Sequence, residues 1–254
     1  MPMQKDKKIV VVMPAYNAAK SPQRVVDEME YMLKCGFKEI HIADDSFTQN
    51  IDRAKEICVE IRRRNLRFPW SLINGVRVNM VDREFFQLAK SAGLWQVGFG
   101  IESGDQEVLN RINKQITLAQ TERAVNLAKQ AGVETFGFFV LGLAGETEES
   151  IQKTLALDTA KFDICIPYPG TPLYSDLDRA GRIRTKDWSH YLCHQTSEPL
   201  FDHPTVKWDV IEKYYRKAFS SFYLRPSYIL MRALRSIRRG DVFSDLVCFL
   251  RSSW

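Results

Sequence analysis

Residues 94–150 read LWQVGFGIESGDQEVLNRINKQITLAQTERAVNLAKQAGVETFGFFVLGLAGETEES, and the way this stretch divides decides the fold. Gln96 to Ile101 and Thr135 to Leu141 are short apolar and aromatic runs, as expected of strands covered on both faces. Between them, Thr117 to Gln130 carries apolar residues at helical spacing and stops at Ala131-Gly132, where glycine lets the chain turn left-handed. A strand, a helix and a second strand in this order form the crossover unit of a parallel sheet.

The alternation continues on both sides. Further strands are expected at Ile9 to Met13, Glu39 to Ala43, Trp70 to Ile73 and Lys161 to Ile166. Helices are expected at Pro22 to Lys34, Ile51 to Arg64, Asp82 to Ala92 and Thr147 to Leu157, two of them stopped by Cys35-Gly36 and Ala92-Gly93. Six such units form either a partial barrel or an open doubly wound sheet, and in both the chemistry gathers at the C-terminal strand ends. Polar and glycine-rich groups stand there: Asp44-Asp45, Glu102-Ser103-Gly104, Gly142, Gly145-Glu146 and Pro167 to Thr171. This placement predicts one shared site. After Thr171 the pattern changes to helices at Lys207 to Tyr223 and Ser227 to Arg239, separated by Pro226.

Composition fits one α/β domain with a helical appendage: 254 residues, 45% hydrophobic, with 36 basic against 31 acidic residues and a net charge of +5. Charge this mild and interspersed gives no footprint for nucleic acid. The cysteines, Cys35, Cys58, Cys165, Cys193 and Cys248, are scattered without a C-x-x-C pair, so neither a disulfide framework nor a zinc ribbon is expected. No apolar run reaches the roughly 18–20 residues of a membrane span, and a cytoplasmic location is expected. The basic stretch Leu234 to Gly240 follows the apolar stretch Tyr228 to Leu234, so the last helices either pack on the barrel or touch a membrane surface.

Several positions carry chemistry. Of Asp44 and Asp45, one is expected to face the barrel mouth and the other to cap the helix near Asn50. A carboxylate at Glu102, ending a strand of glycine and apolar residues, needs a cationic or hydrogen-bonding partner, and its neighbouring glycines let a ligand approach. Arg77 is placed to pair a carboxylate at the same mouth, or one on the surface. Thr147 is expected to cap the helix after Gly142, where neither a phosphate loop nor a G-x-G-x-x-G fingerprint is present. Gly142 then offers a backbone shelf. Pro167, Tyr168 and Gly170 form either a ligand edge or a rigid turn. His190, Cys193 and His194 lack the carboxylate or second cysteine that would complete a familiar metal set, and no metal site is assigned.

Taken in order, SPQRVVDEMEYM, EIHIADDSFT, NGVRVNMVDREFFQLAKSAG, WQVGFGIESGDQEVLNRINKQIT, FFVLGLAGETEES and PYPGTPLY resemble the barrel of radical S-adenosylmethionine (SAM) enzymes. The likeness is to the cobalamin-associated type, relatives of the magnesium-protoporphyrin ester cyclase and hopanoid methylase. The tail segment FSSFYLRPSYILMRAL also resembles that group. The likeness implies a partial (β/α)6 TIM-like barrel of the radical SAM type with a C-terminal helical tail. The expected segments are 1–20 as a foreign-looking first strand and loop, 21–174 as the barrel, and 175–254 as the helical region.

By the same resemblance Asp44 and Asp45 lie at the amino or ribose end of SAM, Glu102 near the ribose, Gly142 at the shelf, and Pro167 to Thr171 on the adenine side. SAM and a 4Fe-4S cluster are the implied cofactors, and a lipid, a tetrapyrrole or another small hydrophobic molecule is the implied substrate. The family holds its cluster with a CxxxCxxC loop, which should stand just before Ser21. Here that stretch reads KKIVVVMPAYNAAK and contains no cysteine. The activity is therefore expected to be impaired or lost, and the cobalamin domain is expected to be absent. TLALDTAKFDI is also several residues short for a helix, a loop and a strand start. The first 19 residues resemble instead the opening of family 2 glycosyltransferases. Sugar transfer and a non-catalytic SAM-binding or partner-binding remnant are the alternative expectations.

Overall fold

Most helices of the barrel segment begin where a side-chain oxygen replaces a missing backbone partner. The computed structural model describes residues 21–44, 47–155, 160–192 and 198–239, with Val242 and Val247. Ser21 accepts from the Arg24 amide and opens α1 (Pro22–Lys34), Asn50 accepts from Arg53 and opens α2 (Ile51–Arg63), and Asp82 accepts from Phe85 and opens α3 (Arg83–Ser91). Asp105 caps α4 (Gln106–Arg111), and Thr117 makes a reciprocal capping box with Gln120 at the head of α5 (Leu118–Gln130). The cap of α2 is Asn50 and not Asp44, which corrects that expectation for Asp44. Asp45 itself lies outside the described residues.

The strands are β1 (Ile40–Ile42), β2 (Trp70–Val76), β3 (Leu94–Glu102), β4 (Glu134–Leu141) and β5 (Ala160–Ile164). They form one sheet in the order β1-β2-β3-β4-β5, with β1–β2 and β2–β3 paired in parallel. An order that follows the chain without reversing has no topological switch point, so the sheet is that of a partial barrel and not a doubly wound one. The expected strand at Ile9 to Met13 lies outside the described residues, and five of the six expected strands are found among the described ones. The short helix α4 was not expected, since six residues carry too little periodicity to announce themselves.

The chain divides into two units, one of residues up to Glu102 with Lys114–Phe138, the other of Ser103–Asn113 with Phe139 onward. The division falls within β4, inside the segment 21–174. In the first unit the helix-facing residues Ile40, Ile42, Trp70, Leu72, Val97 and Phe99 are buried with Phe85 and Phe86 of α3. Phe86 meets Phe99 edge-on at 6.4 Å between ring centroids. Between α3 and β3 stands Gly93 at φ +103°, where an added Cβ would come 2.2 Å from the Phe68 carbonyl oxygen. Only glycine fits there.

The end of α2 is tied back to α1 by Arg64, which reaches Asp27 at 2.6 Å and Glu30 at 3.2 Å while also holding Glu60 at 2.7 Å. Asp27 is well exposed, so solvent screens part of this link. Arg64→Ala is expected to cost about 1 kcal/mol and to lower the thermal midpoint read by circular dichroism by a few degrees. An unchanged midpoint would mean that the tie is fully screened.

The second unit contains α6 (Glu148–Leu155), α7 (Pro172–Arg179), a 3-10 turn at Trp188–His190, α8 (Trp208–Tyr223) and α9 (Pro226–Arg239). Phe139 of β4 stacks on Phe162 of β5 at 5.6 Å. Leu177, Tyr191, Leu200 and Phe201 form a separate buried cluster. The Tyr214 hydroxyl of α8 donates to Glu148 at 2.8 Å and accepts from Gln152 at 2.7 Å, fastening α8 to α6. Among the described residues no helix is long and apolar enough to cross a membrane.

Candidate functional site

In the first unit, parallel pairing puts Asp44, Arg77 and Glu102 at the C-terminal ends of β1, β2 and β3. Asp44 is buried. Glu102 adopts φ +73°, a left-handed conformation that is costly for a residue with a side chain and is kept only where surroundings enforce it. Its carboxylate accepts from the Lys114 ammonium at 2.5 Å, so the cationic partner required at this strand end is Lys114. Nothing in the segment INKQIT marks Lys114 as this partner. Gly100 lies beside the pair: an added Cβ would stand 3.4 Å from both Glu102 Oε1 and Lys114 Nζ.

The other glycines near Glu102 serve packing. An added Cβ on Gly98 would come 2.6 Å from the Phe136 ring and 2.9 Å from the Phe138 ring, which already fill that face of β3. In the second unit Gly104 backs onto α6, 2.7 Å from Thr154 Cα by the same measure, and its amide donates to Thr154 Oγ1 at 2.8 Å. Neither is open to a ligand, which corrects the expectation for these two positions. Among the described residues Arg77 pairs with no carboxylate. Its Nη2 donates to the Lys114 carbonyl at 3.3 Å and its Nε to the Asn79 side chain at 3.4 Å. Arg77 and Glu102 therefore meet on the same residue, one at its backbone and one at its side chain.

In the second unit, Gly142 follows β4 at φ +81°, and its amide donates to Glu146 Oε2 at 2.6 Å; the Leu143 amide reaches the same oxygen at 3.3 Å. Glu146 is fully buried, and its Oε1 has no hydrogen-bond partner among the described residues. Burial pushes its carboxyl up to about 7, against the pull of the two amides. The Cys165 thiol is pushed up to about 12 by its own burial and then by the Glu146 charge. Thr147 caps the following helix in exchange with Ser150, as expected, at 3.2 and 2.9 Å.

His203 holds the same loop: its Nδ1 accepts from the Val206 amide at 3.0 Å, leaving Nε2–H to donate to the Leu143 carbonyl at 3.0 Å. Burial lowers its pKa, in keeping with this neutral form. Glu146 was noted among the strand-end groups but not taken as a candidate. A carboxylate four residues after a glycine that ends a buried strand was the available signal.

Pro167 is buried, Tyr168 is exposed, and Gly170 takes φ +88° with nothing within 4 Å of an added Cβ. Thr171 donates to the Tyr168 carbonyl and caps α7 by accepting from the Tyr174 amide at 3.2 Å. The segment is thus a turn that launches α7, with the Tyr168 ring left on its surface. Cys193 and His194 lie outside the described residues, while His190 sits 3.4 Å from Glu198.

No described group of three or more His, Cys, Asp or Glu residues could hold a metal ion. Among the described residues the cysteines, Cys35, Cys58 and Cys165, do not fit a 4Fe-4S cluster, which takes thiolates brought together. Cys35 ends α1 on the surface, while Cys58 in α2 is buried with its thiol pushed up to about 12.

Residues 11–157 match the family model described as the radical SAM superfamily. An uncharacterised methyltransferase of Pyrococcus horikoshii is 34% identical over 86% of this chain and 50% of its own length. The anaerobic magnesium-protoporphyrin IX monomethyl ester cyclase of Rubrivivax gelatinosus is 30% identical over 68% of this chain and 32% of its own. Among solved structures, the radical SAM methyltransferase TsrM of Kitasatospora setae, with cobalamin and a [4Fe-4S] cluster bound, superposes with a TM-score of 0.55 at 25% identity. That match covers 65% of this chain and 33% of TsrM. The chain thus spans half the length of the first relative and about a third of the cyclase. The family match begins inside the segment that resembles glycosyltransferases, and the comparisons give sugar transfer no support.

Proposed function

The chain belongs to the radical SAM superfamily, and from that membership we propose that it binds SAM while its own capacity for radical chemistry is impaired. The observation that carries the first half is Glu102, held left-handed at the end of β3 beside Lys114 and Gly100. SAM supplies hydroxyl and amino donors and a carboxylate, and an acceptor flanked by a cation suits that ligand. SAM, when bound, brings a transferable methyl group and a 5′-deoxyadenosyl group. Glu102 accepts from a donor on SAM, Lys114 holds and aims its carboxylate, and Asp44 lies at the amino or ribose end.

The second half rests on the missing CxxxCxxC before Ser21 and on the described cysteines, Cys35, Cys58 and Cys165, which stand apart on different elements, so no step is routed through a cluster. The relatives' names point to a methyl-transfer or cyclisation lineage acting on a small hydrophobic molecule or a tetrapyrrole. Calorimetric titration with SAM is expected to give saturable binding, weakened at least about tenfold in Glu102→Ala, the scale of a charge-assisted hydrogen bond. Absence of binding to the unmodified protein, or equal affinity in a folded Glu102→Ala variant, overturns the assignment. Anaerobic treatment with iron and sulfide is expected to leave no stoichiometric cluster and to release no 5′-deoxyadenosine. A full 4Fe-4S absorption spectrum with that release would show the chemistry to be intact.

A further inference from the structure

The helix α9 carries an apolar stripe that the protein leaves uncovered among the described residues. Leu230, Leu234 and Ile237 stand at i, i+4 and i+7, on one line of the helix, and are 62%, 50% and 66% exposed. Ser236, about a third of a turn away, is buried. The sequence of the helix, PSYILMRALRSIRR, contains Arg232, Arg235, Arg238 and Arg239 and no acidic residue. An apolar line on a helix with four positive charges and no negative one is complementary to a surface that is apolar within and anionic without.

From this we propose that α9 docks the protein on the surface of an anionic lipid bilayer, with Leu230, Leu234 and Ile237 entering the headgroup boundary. Length decides between lying on the bilayer and crossing it. Fourteen residues span about 21 Å, short of the roughly 30 Å hydrocarbon core, so the helix lies in the interface plane. A helix with four arginines and no acidic residue carries a net positive charge, which an anionic bilayer attracts over about a Debye length. A second copy is a poorer occupant, because pairing stripe to stripe brings the same arginines together.

Sedimentation of the full chain with phosphatidylcholine vesicles, with and without phosphatidylserine, tests this. Binding is expected to the anionic vesicles, to weaken as salt is raised, and to fall at least about tenfold both in Arg235→Glu/Arg238→Glu and in Leu234→Asp/Ile237→Asp. Circular dichroism and SAM titration of the variants, which alter no residue assigned to SAM, check that the fold is kept. Three results overturn the proposal. One is equal sedimentation with both vesicle types. Another is no sedimentation at all, as expected if the chain's last residues or a partner protein cover the stripe. The third is a dimer in solution that the apolar variant dissociates without any vesicle binding by the unmodified chain.

Discussion

Replacing Trp70 by alanine is expected to cost the first unit about 4 kcal/mol or more, a large share of a typical domain's stability. Trp70 begins β2 with its side chain fully buried. Its partners in register are Ile40 on one side and Leu94 on the other, so it lies where three strands meet. The indole Nε1 donates to the Ala92 carbonyl at 2.9 Å, while its backbone amide donates to the Gly93 carbonyl at 3.2 Å. Alanine would leave a cavity bordered by Phe47 and would strip the Ala92 carbonyl of this donor in a place water does not reach.

Two losses therefore combine, and Trp70→Phe separates them, since it keeps most of the packing and gives up only the hydrogen bond. The expected order of denaturation midpoints is unmodified chain, then Trp70→Phe, then Trp70→Ala. Because β1, β2 and β3 carry Asp44, Arg77 and Glu102, SAM affinity should fall with stability in Trp70→Ala. A loss below about 2 kcal/mol would mean that the site collapses around the gap and that Trp70 is no hub.

Local signals in the chain were enough to read most of this framework. Helix α1 runs from Pro22 to Lys34 as the spacing predicts, because both its ends are set within a few residues, by Ser21 and by Gly36. The stops at Gly93 and Gly132 hold for the same reason. The capping of α2 was misread because Asp44-Asp45, Asn50 and Asp52 all offer suitable oxygens within one loop and helix turn. Only the backbone path selects Asn50.

The site was half legible. That Glu102 needs a cation follows from a carboxylate ending an apolar strand, but that the cation is Lys114 depends on how the chain returns after α4, twelve residues on. Gly98 and Gly104 look like openings in one dimension. In three, aromatic rings and a helix backbone fill them. Glu146 was least legible of all, since its one signal in GLAGETEES, the spacing of four from Gly142, does not tell a helix-end carboxylate in water from a buried one.

Glu146→Gln is expected to raise stability at alkaline pH and to leave it nearly unchanged near pH 5. The carboxyl is lifted to about 7 in the folded protein, from 4.5 for an ordinary glutamate. Between those two values the folded state holds a proton that the unfolded chain has released, so stability falls as pH rises across the window and levels off above it. A gap of this size amounts to about 3 kcal/mol. Below pH 4.5 both states are protonated and the contribution is intact.

Glutamine keeps an oxygen for the Gly142 and Leu143 amides and stays neutral throughout, so its stability should not follow the fall. Both the glutamine amide and the protonated carboxyl place an unpaired group where Oε1 sits, so the two proteins should match at the acid end. Chemical denaturation of both from pH 5 to pH 8 should give midpoints that coincide at the acid end and diverge steadily to about pH 7. The same series bears on the loop, because ionised Glu146 is what the Gly142 amide donates to, and a ligand competing for that amide would meet a different partner on each side of neutrality. Parallel midpoint curves would show that the buried carboxylate is already compensated, by water or by a group at Oε1, and that neither the stability window nor its bearing on Gly142 exists.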